Sequence, residues 1–384
     1  MEGVHDVDIL LVGGGVASAR CARTLRRGGF EGSILLAGDE PAPPYNRPPL
    51  SKELLRDDLP DELVLAEPPA WYEKRDIDLR TGARVAELDA AEGIARLEDG
   101  TDVRFARCLL APGAEPNRLP IPGGERALVL RTLADARRLR QAAQTDGRAT
   151  VIGAGFIGVE VASVLAALGV RTTLVEMTDR LWGGALGDAL ATWAEDRLSG
   201  AGIDVRLATT VTGLEEGAAV AGDERLAHDF ALAAIGVRPR TELAEQAGLA
   251  VDDGILTDAA GRTSAPRVWA AGDVARIDGH RVEHWHAARE AGERSALSML
   301  AKEVPPPRPS WIFTEVAGTA LDVIGDAKEG DEERWLGDGA VLASTAAGRL
   351  VRVAIIGSAL DPGRARDLVG RGASPDALTE ALAG

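Results

Sequence analysis

The residues whose types and spacing could do chemistry are three glycines and an acid: Gly153, Gly155, Gly158 and Glu176. In Val151-Ile152-Gly153-Ala154-Gly155-Phe156-Ile157-Gly158-Val159-Glu160 a short β-branched strand runs into Gly-x-Gly-x-x-Gly, then into an apolar helix expected to reach about Leu168. Gly153 makes the tight turn, Gly155 lets a pyrophosphate approach the backbone, and Gly158 lets helix and strand pack closely. The free N–H groups and positive dipole end of the helix suit phosphates. A second strand, Val170 to Val175, stops at Glu176, 18 residues past Gly158, where an acid accepts hydrogen bonds from ribose hydroxyls. With strand, turn, helix and acid in register, the segment reads as a dinucleotide site rather than a Gly-rich packing turn.

A twin lies near the N-terminus. Asp8 to Val12 reads as a strand, followed by Gly13-Gly14-Gly15-Val16-Ala17-Ser18, a helix to about Arg27, and a strand from Ser33 to Ala37 ending in Gly38-Asp39. Ser18 replaces the third glycine and is small enough for moderately close packing. Two such turns about 140 residues apart imply two facing dinucleotides, a tightly held flavin and a diffusing nicotinamide. Cys21 and Cys108 are the only cysteines and are far apart in sequence, which excludes a local redox disulfide; each reads as a small buried hydrophobe.

The elements that must position these turns follow in order. Pro41 to Lys52 holds five prolines and reads as a stiff extended loop, after which Ser51 caps a helix starting at Lys52. Trp71 to Leu79 is expected as a helix and Arg84 to Leu88 as a strand. Ile94 to Leu97 and Val103 to Phe105 flank Asp99-Gly100 as a hairpin, and Cys108 to Ala111 forms a buried strand. A helix opens at Arg131 and runs to about Gln144, its arginines a solvated face. Beyond the second turn come strands at Ile203–Leu207, Thr210–Leu214 and Asp229–Ile235, the last ending in Gly236, which is counted among the nucleotide-site residues. Ile255 to Thr257 and a helix from about Ala287 to Leu300 return to the style of the first unit, and Pro305-Pro306-Pro307 is the clearest linker. Short strands at Trp311–Phe313, Val341–Ala343 and Leu350–Ile356 follow, with helices near Arg364–Val369 and Pro375–Leu382. The fold class is therefore α/β: two Rossmann-like dinucleotide-binding domains, for FAD at 1–112 with 237–307 and for NAD at 113–236, plus a small C-terminal α/β domain at 308–384.

Composition sets outer bounds. The 384 residues suffice for two or three domains, and 45% hydrophobic content fits a soluble globular protein. A formal charge of −17 argues against nucleic-acid binding, which needs a basic face. No apolar run approaches a membrane span, and Met1 to Asp6 carries no basic or apolar leader pattern, so a cytoplasmic location is expected.

The motifs Arg47-Pro48-Pro49-Leu50-Ser51-Lys52, Arg131-Thr132-Leu133, Gly153 to Glu160, Thr263-Ser264-Ala265-Pro266, Ala271-Gly272-Asp273 and Val282-Glu283-His284-Trp285 occur in the order seen in one family. In them the chain resembles the two-dinucleotide flavoprotein reductases of the glutathione-reductase fold. Within these it is similar to the NADH-dependent ferredoxin, putidaredoxin and rhodocoxin reductases, over residues 1 to about 300. The resemblance implies FAD and NADH as cofactors and a [2Fe-2S] ferredoxin of an oxygenase system as partner. It implies that Asp39 holds the flavin adenosine ribose, that Val85 lines the adenine side, and that Arg47 and Lys52 approach the pyrophosphate and isoalloxazine. It further implies that Arg131 contacts the flavin, that Asp273 binds the ribityl or pyrophosphate end, and that Trp285 lies near the ring. Glu160 is implied to pair with Lys52 beside the position where hydride arrives; read on its own, it is an acid favoured in the first turns of a helix. Glu176, with no cation directly after it, favours NADH over NADPH, although Arg180 is near.

The chain departs from the family pattern in several places. Asn46 stands for Asp, Pro112 for Thr, His284 and His286 flank Trp285, and Ala287 stands for Asn. Trp311-Ile312-Phe313-Thr314-Glu315 replaces Trp-Phe-Trp-Ser-Asp. Two alternatives therefore stay open beside the ferredoxin reductase: an NADH-dependent flavoprotein reducing oxygen, quinone or a metabolite, and a non-enzymatic NADH-sensing flavoprotein like the apoptosis-inducing-factor relatives.

Overall fold

The computed structural model describes residues 4–56, 59–144, 147–328 and 331–383. Met1 to Gly3, the head of the N-terminal stretch read above, lie outside these residues. The chain divides into two compact units. One comprises residues 1–47, 60–115 and 238–307; the other comprises 48–59, 116–237 and 308–384.

The first unit is built on His5–Val12, whose second half, Ile9–Val12, is buried on both faces. Such a strand is an all-apolar run rather than an alternating one. It pairs in parallel with Ile34–Ala37 on one side and Asp102–Leu110 on the other, and Ile77–Arg80 extends the sheet beyond Ile34–Ala37. The strand Asp102–Leu110 serves two partners. Its first half pairs antiparallel with Ile94–Leu97, and its second half pairs in parallel with Val268–Ala270, so Cys108 lies opposite Val268. Ile9 and Leu11 pack with Cys21, Ala22 and Leu25 of the helix Val16–Arg27 and with Ala291, Ala296 and Met299 of the helix Trp285–Met299. These two helices touch backbone to backbone, since a Cβ at Gly292 would lie 2.2 Å from Ala17 O. Cys21 and Cys108 are free thiols in different core clusters, and burial pushes both well above the ordinary thiol range.

Two expectations change here. The helix expected over Trp71 to Leu79 ends at Glu73, and Ile77–Arg80 is a strand. Asp76 at φ 50° breaks the helix, a left-handed position that Asp tolerates better than most residues. The hairpin strand and the buried strand expected separately at Val103 and Cys108 are one nine-residue strand.

The second unit holds a parallel sheet in the order Asp204–Arg206, Arg171–Val175, Arg148–Ile152, Phe230–Ala233. The helix Phe156–Ala167 is buried from Gly158 through Leu165 without a gap. A helix this apolar all round has protein on every side. One neighbour is Trp311–Val316, the edge strand of a five-stranded antiparallel sheet formed by the C-terminal residues and covered by the helices Pro362–Gly370 and Pro375–Ala383. A further helix, Asp188–Gly200, is not among the expected elements, although Leu190, Ala191, Ala194 and Leu198 mark its buried face at helical spacing. Among the described residues no helix is long and apolar enough to cross a membrane.

Candidate active site

The first glycine turn has the backbone that its motif demands. Gly13 has φ 106°, and a Cβ there would lie 2.1 Å from Ala111 O. Gly15 is the N-cap of the helix Val16–Arg27, and a Cβ on it would meet nothing within 4 Å. That open backbone face fits a pyrophosphate. Ser18 is fully buried, and its hydroxyl has no hydrogen-bond partner among the described residues. Gly13, Asp39 and Val85 line one cleft together with Pro112 and Arg240. Asp39 Oδ2 accepts from Arg240 Nη1 at 2.7 Å, and the Arg240 N–H donates to Gly113 O at 3.0 Å. Arg240 was not foreseen; it lies 201 residues from its partner, and no local pattern announces such a pair.

Arg47 and Asp273 also lie in this unit. Arg47 donates to Glu40 Oε1 at 2.8 Å, and Tyr45 hydroxyl donates to Glu40 Oε2 at 2.6 Å. Burial opposes the Arg47 charge, but Tyr45, Glu40 and Asp273 more than offset it and hold the guanidinium above the ordinary arginine value. Trp285 Nε1 donates to Asn46 Oδ1 at 2.8 Å, while Asn46 Nδ2 donates to Val64 O at 3.1 Å. An aspartate at 46 could accept from Trp285 but could not donate to Val64. His286 stands edge-on to Trp285 with centroids 4.8 Å apart, the Arg289 guanidinium lies 4.3 Å from the same ring, and His284 is the N-cap residue of that helix.

In the second unit Gly153 has φ 101°, and a Cβ would lie 2.4 Å from Ala234 O. At Gly158 a Cβ would lie 1.9 Å from Gly153 O, so helix and turn are in backbone contact. Gly155 is again open, with nothing within 4 Å of a Cβ. Glu176 closes on this turn: Oε2 accepts the Ala154 N–H at 2.8 Å, and Oε1 accepts the Thr178 N–H at 2.9 Å and hydroxyl at 3.0 Å. Arg180, the one cation near Glu176 in sequence, is ion-paired with Asp188. Trp182 adopts a left-handed backbone at φ 56°, donates its backbone N–H to Ala154 O at 2.9 Å, and stacks its ring on Phe156 at 6.0 Å. Gly236 has φ 86° and accepts the Asn117 N–H at 3.0 Å. Arg131 sits half-buried just before the helix Leu133–Ala143, where Thr132 and Asp135 form a capping box.

Lys52 and Glu160 meet in the same unit. Lys52 Nζ lies 2.7 Å from Glu160 Oε1, and both side chains are nearly inaccessible, at 10% and 4% exposure. Lys52 also donates to Pro48 O at 3.3 Å, and the Phe313 ring centroid is 5.8 Å from Nζ. Ser51, expected to cap a helix, instead donates its hydroxyl to Glu160 Oε2 at 2.5 Å, and the α-helix that follows starts only at Glu53. A buried carboxylate recruits the nearest donors, because leaving it unpaired costs far more than an uncapped helix end. Thr314 Oγ1 completes the group, donating to Glu160 Oε1 at 2.7 Å.

Comparison with known proteins gives these features a lineage. A family profile described as pyridine nucleotide-disulphide oxidoreductase matches residues 7–292. The ferredoxin–NAD(+) reductase component of a biphenyl dioxygenase system from Paraburkholderia xenovorans (strain LB400) is 37% identical over 332 residues, spanning 83% of this chain and 81% of the relative. The corresponding component of an anthranilate 1,2-dioxygenase system from Burkholderia cepacia is 33% identical over 385 residues, 96% of this chain and 95% of the relative. Among solved structures, the covalent putidaredoxin reductase–putidaredoxin complex superposes with a TM-score of 0.92 at 28% identity, covering 97% of this chain and 95% of that one. The open glycine turns, the acids after them and the extent of these matches agree: the chain belongs to the pyridine nucleotide-disulphide oxidoreductase family and, within it, to the ferredoxin–NAD(+) reductases.

Proposed function

We propose that the chain is a cytoplasmic, FAD-dependent NADH:ferredoxin oxidoreductase that serves an oxygenase system. One NADH and two oxidised [2Fe-2S] ferredoxins give NAD+, a proton and two reduced ferredoxins. The observation that carries this reading is an open glycine turn in each unit of a chain 37% identical to such a component. Bound FAD supplies the change from a hydride to single electrons.

The chain's own residues bind and orient. Residues 1–112 with 237–307 hold FAD, 113–236 hold NADH, and 308–384 form the C-terminal domain. Gly13, Gly15 and Ser18 seat the flavin pyrophosphate and its helix, Asp39 and Val85 take the adenosine end, and Arg47, Asp273, Trp285 and Arg131 take the remainder. Gly153, Gly155, Gly158 and Gly236 shape the NADH seat, with Glu176 on the ribose. The pairing of Arg180 with Asp188 and the acid at 176 support NADH over NADPH, since a carboxylate at the ribose repels a 2′-phosphate. Lys52 holds a proton at Nζ beside the hydride's destination, and Glu160 balances its charge.

The test is NADH-dependent cytochrome c reduction by the flavin-loaded protein, with and without a [2Fe-2S] ferredoxin. Saturable stimulation by ferredoxin is expected. Fast bleaching of the flavin by NADH with no response to any ferredoxin or rubredoxin would overturn this reading and favour a small acceptor.

A further inference from the structure

Glu160 is the one charged side chain of the helix Phe156–Ala167, which apart from Ser163 is otherwise apolar, and donors from two other stretches of chain close on it. Oε1 takes Lys52 Nζ and Thr314 Oγ1, each at 2.7 Å, and Oε2 takes Ser51 Oγ at 2.5 Å. Ser51 is 1% exposed and Thr314 3%. An ammonium and two hydroxyls that all donate suit a carboxylate, which only accepts.

The three donors are not equivalent. Ser51 and Lys52 are neighbours at the end of one short turn, Pro48–Ser51, and any shift of that turn moves both. Thr314 comes from the strand Trp311–Val316, which has a separate tie to its surroundings. The Ala317 N–H beyond its end donates to Ser163 Oγ at 3.0 Å on the Glu160 helix. Of the three donors, Thr314 is the one that reaches the carboxylate from outside the Lys52 turn. Its β-branched side chain also has few rotamers to lose.

We infer that Thr314 is a positioning residue for hydride delivery: its hydroxyl sets the orientation of the Glu160 carboxylate and, through it, the place of the Lys52 ammonium. The C-terminal segment that departs most from the family pattern therefore helps to order the reacting end of the site. This rests on the reading of Lys52 and Glu160 as the pair beside the hydride's destination.

Thr314→Val keeps the shape and removes the donor, while Thr314→Ser keeps the donor. Flavin-loaded variants would be mixed with NADH under anaerobic stopped flow, and the reduction potential of the bound flavin would be measured by dye equilibration. For Thr314→Val the expected result is a limiting rate about tenfold lower, as befits one hydrogen bond to a buried charge, with NADH affinity within about twofold and a shifted potential. Thr314→Ser should restore the rate to within about threefold and the potential to its native value. If the valine variant does not fold, Thr314→Ala replaces it under the same criteria. A native rate and potential without the hydroxyl, or a serine variant as slow as the valine one, would overturn the inference. Glu160→Gln separates the two levels. If it leaves hydride transfer at the native rate, the reading of the pair falls; if it is slow while Thr314→Val is not, only the assignment of Thr314 falls.

Discussion

At Gly13 and at Gly153 the chain passes through φ 106° and 101°, and a Cβ would lie 2.1 Å from Ala111 O in one turn and 2.4 Å from Ala234 O in the other. Gly15 and Gly155 are both open. The turns part at the third position. Gly158 is in backbone contact with Gly153, whereas Ser18 carries a buried side chain into the equivalent place. In the first unit the close approach is made elsewhere, by Gly292 against Ala17 O at 2.2 Å. A glycine is needed where two backbones touch, and the touching pair is helix and turn in one unit but helix and helix in the other. The acids differ too: Glu176 accepts from its own turn, whereas Asp39 accepts from a distant arginine. The acid after the first turn is thus tied to a residue far along the chain, the acid after the second to its own turn.

The largest effect that would break this comparison comes from the first glycines. Gly13→Ala and Gly153→Ala should each destabilise by roughly 3 kcal/mol or more, since strain at positive φ adds to a backbone clash. Thermal unfolding of the two variants would check this, and a loss under 1 kcal/mol in either would refute the shared-turn picture. Gly15→Ala and Gly155→Ala sharpen it. Both glycines have negative φ, −95° and −70°, and open surroundings, so stability should barely change. Dinucleotide binding should weaken by tenfold or more at each, because the methyl group takes the phosphate's space. Flavin retention should fall only for Gly15→Ala, and the NADH dissociation constant should rise only for Gly155→Ala; the reverse pattern would exchange the two sites.

A smaller effect concerns the acid of the second turn. Asp188→Ala releases Arg180, and relative use of NADPH should rise severalfold in steady-state assays with both nucleotides. An unchanged ratio would show that Glu176 alone sets the preference. The smallest effect is a pH dependence confined to the second unit. His228 is buried, its Nδ1 is 3.3 Å from Thr150 Oγ1, and burial lowers its folded value below the ordinary 6.5. Its contribution is therefore full above about pH 6.5 and is lost as pH falls through the lowered value. His228→Gln should flatten the acid-side decline of the melting temperature below about pH 6.5. An identical slope would remove His228 from the account.

The glycine turns were legible in the sequence because a positive φ or a backbone contact leaves little choice of residue, and that constraint is local. The strand Ile77–Arg80 was not, because its few alternating residues follow a true helical turn and only Asp76 signals the break. Ser51 was misread for another reason. Its hydroxyl had a local use as a cap and a distant one on Glu160, and the spacing of 109 residues between them is invisible along the chain. Arg240 and Thr314 share that cause: each acts on a group more than 150 residues away. Recognition of the family supplied the pair Lys52–Glu160 but not the hydroxyls that surround it.

The short excursion of residues 48–59 into the second unit has a consequence for heredity and engineering. The chain passes between its units five times, at 47/48, 59/60, 115/116, 237/238 and 307/308, so no single junction separates them. A fragment ending at residue 112 would carry Ser51 and Lys52 without Glu160 or Thr314, so the charged group could not form. Exchange of parts by one recombination event would therefore break the charged group before it altered any specificity.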